Sequence, residues 1–380
     1  MKAAILGFGT VGRGVYEILE ACPSFETGSI LVRPGKADAP YKVDNIEAIC
    51  QDKSIDAVVE VLGGVEPAFF YCAAALKAGK HVVTSNKALV AAKGLELDEL
   101  ARSNGVGFLF SAACGGAVPF LHNVELARRS DEIVSLGGIL NGTTNFMLDK
   151  MQSEGGEYAE VLKEAQTLGY AEADPTADVT GLDALRKIML ACAVAYDRLP
   201  TEGLLNEGID SLSADDVRDL QQRGLVCRLL AKGGLTDGKL YAYVQPALFS
   251  PDAPEAAVKK NFNMAKYIGK NAGQIVLMGQ GAGRYPTASA VLRDLECLVH
   301  GQREMLHESC RAVCADNGSC QCSYYIRLPK EFAGNFDFAE KETDGDTVRG
   351  VTDKLSVKEM HEKVRSLRKA GARIFFAERN

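Results

Sequence analysis

The stretch KAAILGFGTVGRGVYEILEAC, Lys2 to Cys22, decides the fold. A short apolar run passes through Gly7, Gly9 and Gly12 into a segment whose apolar residues Val15, Ile18 and Leu19 recur at helical spacing. This is G-x-G-x-x-G between a strand and a helix. The first glycine permits the tight turn, the second lets a pyrophosphate approach the backbone, and the third lets the helix pack close to the strand. The helix start then offers N–H groups and a partial positive charge to phosphates. The competing reading is a glycine turn without ligand; the strand–turn–helix setting favours the nucleotide site.

Working outward, the next strand is SILVR. A cofactor with a free 2′-OH meets an Asp or Glu at this strand's end. Here Arg33 and then Lys36 follow instead. Positive charge suits a 2′-phosphate, so the sequence points to NADP over NAD; a solvated loop arginine is the competing reading. IDAVVEVLG, HVVTSNKALV and VGFLFSAACGGAVP read as further strands with their exits, and PAFFYCAAALKAGK and GLELDELARSNG as helices. Strand and helix in alternation imply an α/β fold with a Rossmann-type doubly wound parallel sheet. Ligands bind beyond the carboxyl ends of such strands, where Gly63, Asn86, Lys87 and Gly115 fall.

After about residue 130 the rhythm changes. EIVSLGGILNGTTNFML reads as a strand entering a helix near Thr143, and helices follow around 157–168 and 182–196. LVCRLLAKGGLTDGKLYAYVQPALF reads as two strands turning at Asp237-Gly238, and GQIVLMGQGAG as another strand. This predicts an α+β domain over 131–285, after a nucleotide domain over 1–130. PTASAVLRDLECLV is a helix. A cysteine-bearing linker then leads to SYYIRL, DTVRGV, SVKEMHEKVRSLRKAG and ARIFFA, a small α+β module over 323–380. Val357, Met360, Val364 and Leu367 make one apolar helix face.

Bulk numbers exclude several classes. A chain of 380 residues, 47% hydrophobic and 24% charged, is an ordinary multi-domain globular protein. No stretch approaches about 18 uninterrupted apolar residues, so no membrane span is expected. The N-terminal apolar run is short and leads into the glycine pattern, not a cleavage site; a cytoplasmic protein is expected. A net charge of −7 without a basic stripe argues against nucleic acid. Cys310, Cys314, Cys320 and Cys322 cluster in ESCRAVCADNGSCQCSYY, in a spacing that fits no zinc pattern; linker thiols are the simpler reading.

LGYAEADPTADVTGLDALRK, Leu168 to Lys187, carries the chemistry. Asp183 and Lys187 lie four apart on one helix face. A plain surface pair there contributes roughly 0.3–0.5 kcal/mol. The helix is otherwise apolar, however, and the loop before it adds Glu172 and Asp178. Acids converging on a lysine suit a small substrate bearing an ammonium group: the carboxylates bind it and the lysine moves a proton or polarises a carbonyl. Lys87, at a strand end, is a second candidate.

ILNGTTNFML, VVTSNKALV, GQGAGRYPTASAV and the Leu168–Lys187 stretch, in order from residue 1 to about 300, closely resemble homoserine dehydrogenase. The resemblance implies reversible NAD(P)-dependent interconversion of L-aspartate 4-semialdehyde and L-homoserine, in threonine, methionine and isoleucine biosynthesis. It implies cofactor contacts at Gly7, Phe8, Gly9, Thr10, Val11, Gly12, Arg33 and Gly63, and at Gly169 and Gly283 from the second domain. Lys87 would sit between nicotinamide and substrate. Glu172, Asp178 and Asp183 would bind the amino acid, and Lys187 would donate the proton. The helix after Pro286, over 286–310, would return to the nucleotide domain. A homodimer or higher homo-oligomer is implied.

The sequence departs from the family twice. Members bind a monovalent cation through a Glu and backbone carbonyls; here Ser111 stands at the Glu position, leaving the carbonyls of Cys114, Gly116 and Val118 as oxygen ligands. SYYIRL and the last strand–helix–strand resemble an ACT-type regulatory domain, but its effector turn and following helix are missing. A truncated ACT-like module is expected. Two other readings compete: an amino-acid dehydrogenase acting on a substrate such as diaminopimelate, and a cofactor-binding regulator that has lost catalysis. Lys87, Glu172, Asp183 and Lys187 together argue against the regulator, which needs none of them.

Overall fold

The computed structural model describes residues 1–32 and 39–379. Arg33 and Lys36 lie outside them. The chain divides into two compact units: Met1–Glu132 with Met189–Leu199 and Gly279–Ala312, and Ile133–Ile188 with Pro200–Met278 and Val313–Asn380.

In the first unit β1 (Lys2–Leu6) and α1 (Thr10–Ala21) flank the glycine turn. They are followed by β2 (Glu26–Leu31), β3 (Lys42–Val43), α2 (Ile46–Gln51), β4 (Ala57–Glu60), α3 (Ala68–Lys77), β5 (His81–Thr84), α4 (Lys87–Ser103), β6 (Phe108–Leu109) and α5 (Phe120–Ala127). The strands form a parallel sheet in the order β3-β2-β1-β4-β5-β6. The order reverses beside β1, so β1 and β4 flank the switch point where doubly wound sheets take ligands. β4 is buried at every position, as a parallel strand covered on both faces must be. The NKALV segment is no exit loop: α4 starts at Lys87. The Asn86 side chain accepts from Leu89 N at 3.1 Å and so caps the helix seven residues before the start expected from GLELDEL.

The second unit opens with β7 (Ile133–Ile139), α6 (Gly142–Ser153), α7 (Tyr158–Thr167), α8 (Thr176–Val179) and α9 (Leu182–Tyr196). Next come β8 (Arg198–Glu202), β9 (Leu205–Asn206), α10 (Ala214–Gln222), β10 (Val226–Thr236), β11 (Lys239–Phe249), β12 (Phe262–Gly269) and β13 (Gly273–Gln280). β10 and β11 pair along their whole length, and Asp237 and Gly238, with φ of 51° and 74°, make the primed turn the sequence predicts. α11 (Arg284–Val299) belongs to the first unit.

After β14 (Arg311–Cys314) and β15 (Gln321–Cys322) the chain continues with β16 (Tyr324–Pro329), β17 (Phe338–Asp344), β18 (Thr347–Thr352), β19 (Leu355–Ser356), α12 (Val357–Lys369) and β20 (Phe375–Arg379). The C-terminal strands extend the sheet of the second unit, in the order β13-β12-β7-β10-β11-β20-β16-β18-β17. β20 pairs antiparallel with β16 and parallel with β11 through Ala247–Glu378 and Leu248–Arg379. The expected apolar face of α12 packs with Tyr324, Ile326 and Phe376. β17 is a strand that the sequence hides: FAEKETD is charged and almost wholly exposed, as an edge strand is.

Candidate functional site

The first unit contributes a glycine turn at the carboxyl end of β1. Gly7 has φ of 106°, a backbone that disfavours side chains. A Cβ on Gly12 would lie 2.1 Å from the Gly7 carbonyl oxygen, so α1 can approach β1 only with glycine there. A Cβ on Gly9, in contrast, meets nothing within 4 Å. Gly9 is the N-cap of α1, and no side-chain hydrogen bond caps the helix start. That is the fit a dinucleotide phosphate requires. Thr10 is exposed and Val11 half-buried beside it. The Phe8 ring is buried under the Arg13 guanidinium, 4.7 Å from its centroid.

Gly63 follows β4 with φ of 79° and open space at its Cβ position. Beneath this exit lies Glu60, a buried residue that the motif reading passes over. It accepts from Thr84 Oγ1 at 2.5 Å and from Leu62 N at 2.7 Å. Asn86 Nδ2 donates to the Gly64 carbonyl at 2.5 Å. Burial raises the Glu60 carboxyl above its ordinary range, against the lowering effect of its hydrogen bonds. The signal available was a lone acid ending the apolar run AVVE. Its consequence is that the β4 and β5 exits are tied together, and with them the half-buried Lys87 at the first position of α4.

Ser111 sits in a 3-10 turn after β6. Its hydroxyl donates to Asp294 Oδ1 at 2.5 Å, its N–H donates to Oδ2 at 2.9 Å, and His122 Nε2 lies 2.8 Å from Oδ1. The serine is therefore engaged with a fully buried carboxylate. Gly115 and Gly116 have φ of 95° and 53°, and the Val118 carbonyl accepts from Phe120 N at 2.8 Å. Among the described residues no group of His, Cys, Asp and Glu side chains suits a metal ion.

The second unit brings together three of the predicted residues and one that was missed. Asp183 Oδ2 and Lys187 Nζ are 2.8 Å apart, and each side chain is only 9% exposed. This is no surface pair: removing one partner of a buried pair costs roughly 3–5 kcal/mol. Lys187 Nζ also donates to the Leu140 carbonyl at 2.5 Å, just beyond β7. Asn141 completes the cluster. Its Nδ2 donates to Asp178 Oδ1 at 2.7 Å and to Asp183 Oδ2 at 2.8 Å, while its Oδ1 caps α6 by accepting from Thr144 N at 2.8 Å. Thr143 Oγ1 donates to the Tyr170 carbonyl at 2.6 Å and lies 3.3 Å from Asp178 Oδ2. The cap signature N-G-T-T was legible in sequence; the amide's second task was not, because Asp178 and Asp183 are distant in the chain.

Glu172 does not join this cluster. It is exposed on the loop, and its carboxylate makes no hydrogen bond or ion pair among the described residues, although its carbonyl accepts from Gln166 Nε2 at 3.2 Å. Gly169 ends α7 with φ of 76° and open space at its Cβ position. Gly283, expected from the second domain, belongs to the first unit, where with φ of 116° it is the N-cap of α11.

A Rossmann unit with an open glycine turn, in one chain with a buried lysine–carboxylate cluster, defines the class of nicotinamide-nucleotide dehydrogenases acting on polar substrates. Comparisons with known proteins narrow the class. Residues 7–111 match the family model of the homoserine dehydrogenase NAD binding domain, and residues 119–295 that of homoserine dehydrogenase. The chain is 40% identical over 317 residues to the homoserine dehydrogenase of Synechocystis sp., covering 79% of this chain and 73% of that protein. It is 41% identical over 353 residues to that of Corynebacterium glutamicum, covering 86% and 79%. A solved homoserine dehydrogenase from Thiobacillus denitrificans superimposes with a TM-score of 0.88 at 28% identity, covering 100% of this chain and 98% of that one.

The chain belongs to the homoserine dehydrogenase family. It is an NAD(P)-dependent oxidoreductase that interconverts L-homoserine and L-aspartate 4-semialdehyde. No helix among the described residues is long and apolar enough to cross a membrane.

Proposed function

We propose that Lys187 is the proton-transferring residue of this reaction and that Asp178, Asp183 and Glu172 hold the substrate's ammonium. The supporting observation is the buried Asp183–Lys187 pair, tied through Asn141 to Asp178. When bound, the nicotinamide nucleotide accepts a hydride from the alcohol carbon in one direction and returns it to the aldehyde carbon in the other. In reduction the Lys187 ammonium gives its proton to the developing alkoxide, and Lys87 adds positive charge beside it. In oxidation the lysine takes the hydroxyl proton. Asp183, paired with Lys187 at 2.8 Å, also orients the lysine. Glu172, exposed on its loop, contributes its carboxylate to the same ammonium.

Gly7, Phe8, Gly9, Thr10, Val11, Gly12, Gly63, Gly169 and Gly283 hold the nucleotide in this reading, with Lys87 at its nicotinamide and Arg33 on a 2′-phosphate. The absence of an acid after SILVR favours NADP. A monovalent cation would rest on the carbonyls of Cys114, Gly116 and Val118 alone, and weakly, since Ser111 supplies no charge. Residues 323–380 form a shortened ACT-type module. The chain assembles as a homodimer or higher homo-oligomer.

Homoserine oxidation by the wild type and by Lys187→Ala, with NADP and with NAD, tests the central assignment. A collapse in turnover with unchanged cofactor affinity is expected. Full activity in the variant would move the acid–base role to Lys87.

A further inference from the structure

The cysteine cluster is not absorbed by the dehydrogenase reaction, and two of its members converge. Cys320 and Cys322 flank one residue at β15, which pairs with β19 through Gln321–Ser356 and Cys322–Leu355. Cys320 directly precedes this two-residue strand and Cys322 ends it. Both thiols reach the same hydroxyl: Tyr243 Oη lies 3.7 Å from Cys320 Sγ and 3.9 Å from Cys322 Sγ. Tyr243 donates to Glu378 Oε2 at 3.0 Å, and Lys232 Nζ is 2.6 Å from Glu378 Oε1. The two thiols differ in access. Cys320 is half-buried, whereas Cys322 is buried.

We propose that Cys320 and Cys322 form a peroxide-reactive thiol pair, with Cys320 attacking and Cys322 resolving to an intrachain disulfide. In the first step the Cys320 thiolate attacks one oxygen of a hydroperoxide. An S–O bond forms, the O–O bond breaks, and the departing alkoxide or hydroxide takes a proton from water. Sulfur is oxidised by two electrons to sulfenic acid and the peroxide is reduced. In the second step the Cys322 sulfur displaces that hydroxyl. The S–S bond forms, the S–O bond breaks, and the thiol proton leaves with the hydroxide as water. The net change is the loss of two thiol hydrogens, with one alcohol or water from the peroxide and one further water.

The surroundings support this division of labour. A hydrogen bond from the Cys322 thiol, the Tyr243 hydroxyl beside it and the charge of Lys232 hold the Cys320 thiol down to about 7, against its burial and the Glu378 charge. Cys322 is pushed well above the ordinary thiol range by its hydrogen bond to Cys320 and by burial, so it remains the protonated partner. Exposed Cys314, on β14, is the natural control: it has access, but among the described residues its thiol donates only to the Ala315 carbonyl at 3.7 Å.

The test is peptide mapping of the full-length protein after a brief treatment with hydrogen peroxide at neutral pH, with remaining thiols alkylated. The expected result is a peptide lighter by two hydrogens, with Cys320 and Cys322 protected and Cys314 alkylated. Cys314→Ser should leave this unchanged. Cys322→Ser should stop at a sulfenic acid on Cys320 that dimedone traps. Preferential oxidation at Cys314, or a two-hydrogen loss that requires Cys314, would overturn the proposal; the wild-type map decides this even if a variant does not fold.

Discussion

Replacing Asn141 with serine isolates a task that the amide performs for two carboxylates. Asn141 is 3% exposed and spends both Nδ2 protons, one on Asp178 and one on Asp183, while Oδ1 caps α6. Serine is an equally good N-cap, so Asn141→Ser keeps the helix start and deletes the two donations. A hydrogen bond to a charged group contributes about 1.5–3 kcal/mol. Two such bonds, less what water and repacking restore, give an expected loss of about 3 kcal/mol in unfolding free energy. That is a large share of the roughly 5–15 kcal/mol that holds a domain folded. Asn141→Ala should lose about 1 kcal/mol more, because the cap goes too. Asp183, still paired with Lys187, and Asp178, still beside Thr143, then lose the amide that fixes both in the positions that suit an ammonium. If about 1.4–2.7 kcal/mol of binding is lost there, kcat/KM for homoserine falls roughly 10- to 100-fold. The loss should appear mainly in the homoserine KM, with the cofactor KM unchanged. Urea denaturation and initial-rate kinetics on wild type, Asn141→Ser and Asn141→Ala provide both numbers. A serine variant within about 0.5 kcal/mol of wild type and with unaltered kcat/KM would refute the tether, since surface-like substitutions fall in that range.

Three further outcomes follow from the geometry. Gly9→Ala should leave thermal stability near wild type, because its Cβ enters open space, yet raise the cofactor KM; Gly12→Ala should destabilise the fold itself, because its Cβ meets the Gly7 carbonyl. Differential scanning calorimetry and cofactor titration separate the two, and equal effects in both assays would contradict the reading. His361 is 5% exposed, its Nε2 lies 3.0 Å from Gln245 Oε1, and burial, reinforced by Arg365 and Arg368, pushes its imidazole down to about 4 from 6.5. A depressed folded-state value means the unfolded chain binds the proton more readily, so this stability is present above about 6.5 and lost as pH falls toward 4, by about 3 kcal/mol in all. Unfolding free energies of wild type and His361→Asn measured from pH 7 to pH 4 should converge by that amount; parallel curves would exclude it. Arg228, fully buried, shares its guanidinium among Asp149 and the Cys227, Ala256 and Val258 carbonyls. Arg228→Ala should cost about 3–5 kcal/mol by denaturant unfolding, and a loss below 1 kcal/mol would show that the site collapses around the gap.

By itself the sequence determined the nucleotide unit and the register of its glycine turn. G-x-G-x-x-G between a strand and a helix leaves one workable backbone, because only glycine fits where α1 touches β1. It also determined the β10–β11 hairpin, through Asp237-Gly238, and the apolar face of α12. Local chemistry dictates each of these within a few residues. Tertiary structure decided what depends on residues far apart in the chain. Asp183 and Lys187 read as a surface pair by spacing; only packing buries them and brings the Asn141 amide from 42 positions away onto Asp183. Glu60 is silent in sequence until β5 delivers Thr84 to it. The charged strand β17 exists because β18 offers it an edge, not because FAEKETD favours a strand. The C-terminal strands read as a separate module, yet β20 pairs with β11 and continues the sheet of the second unit. Hydrogen-bond partners between distant strands carry no local signature, so no periodicity could reveal them.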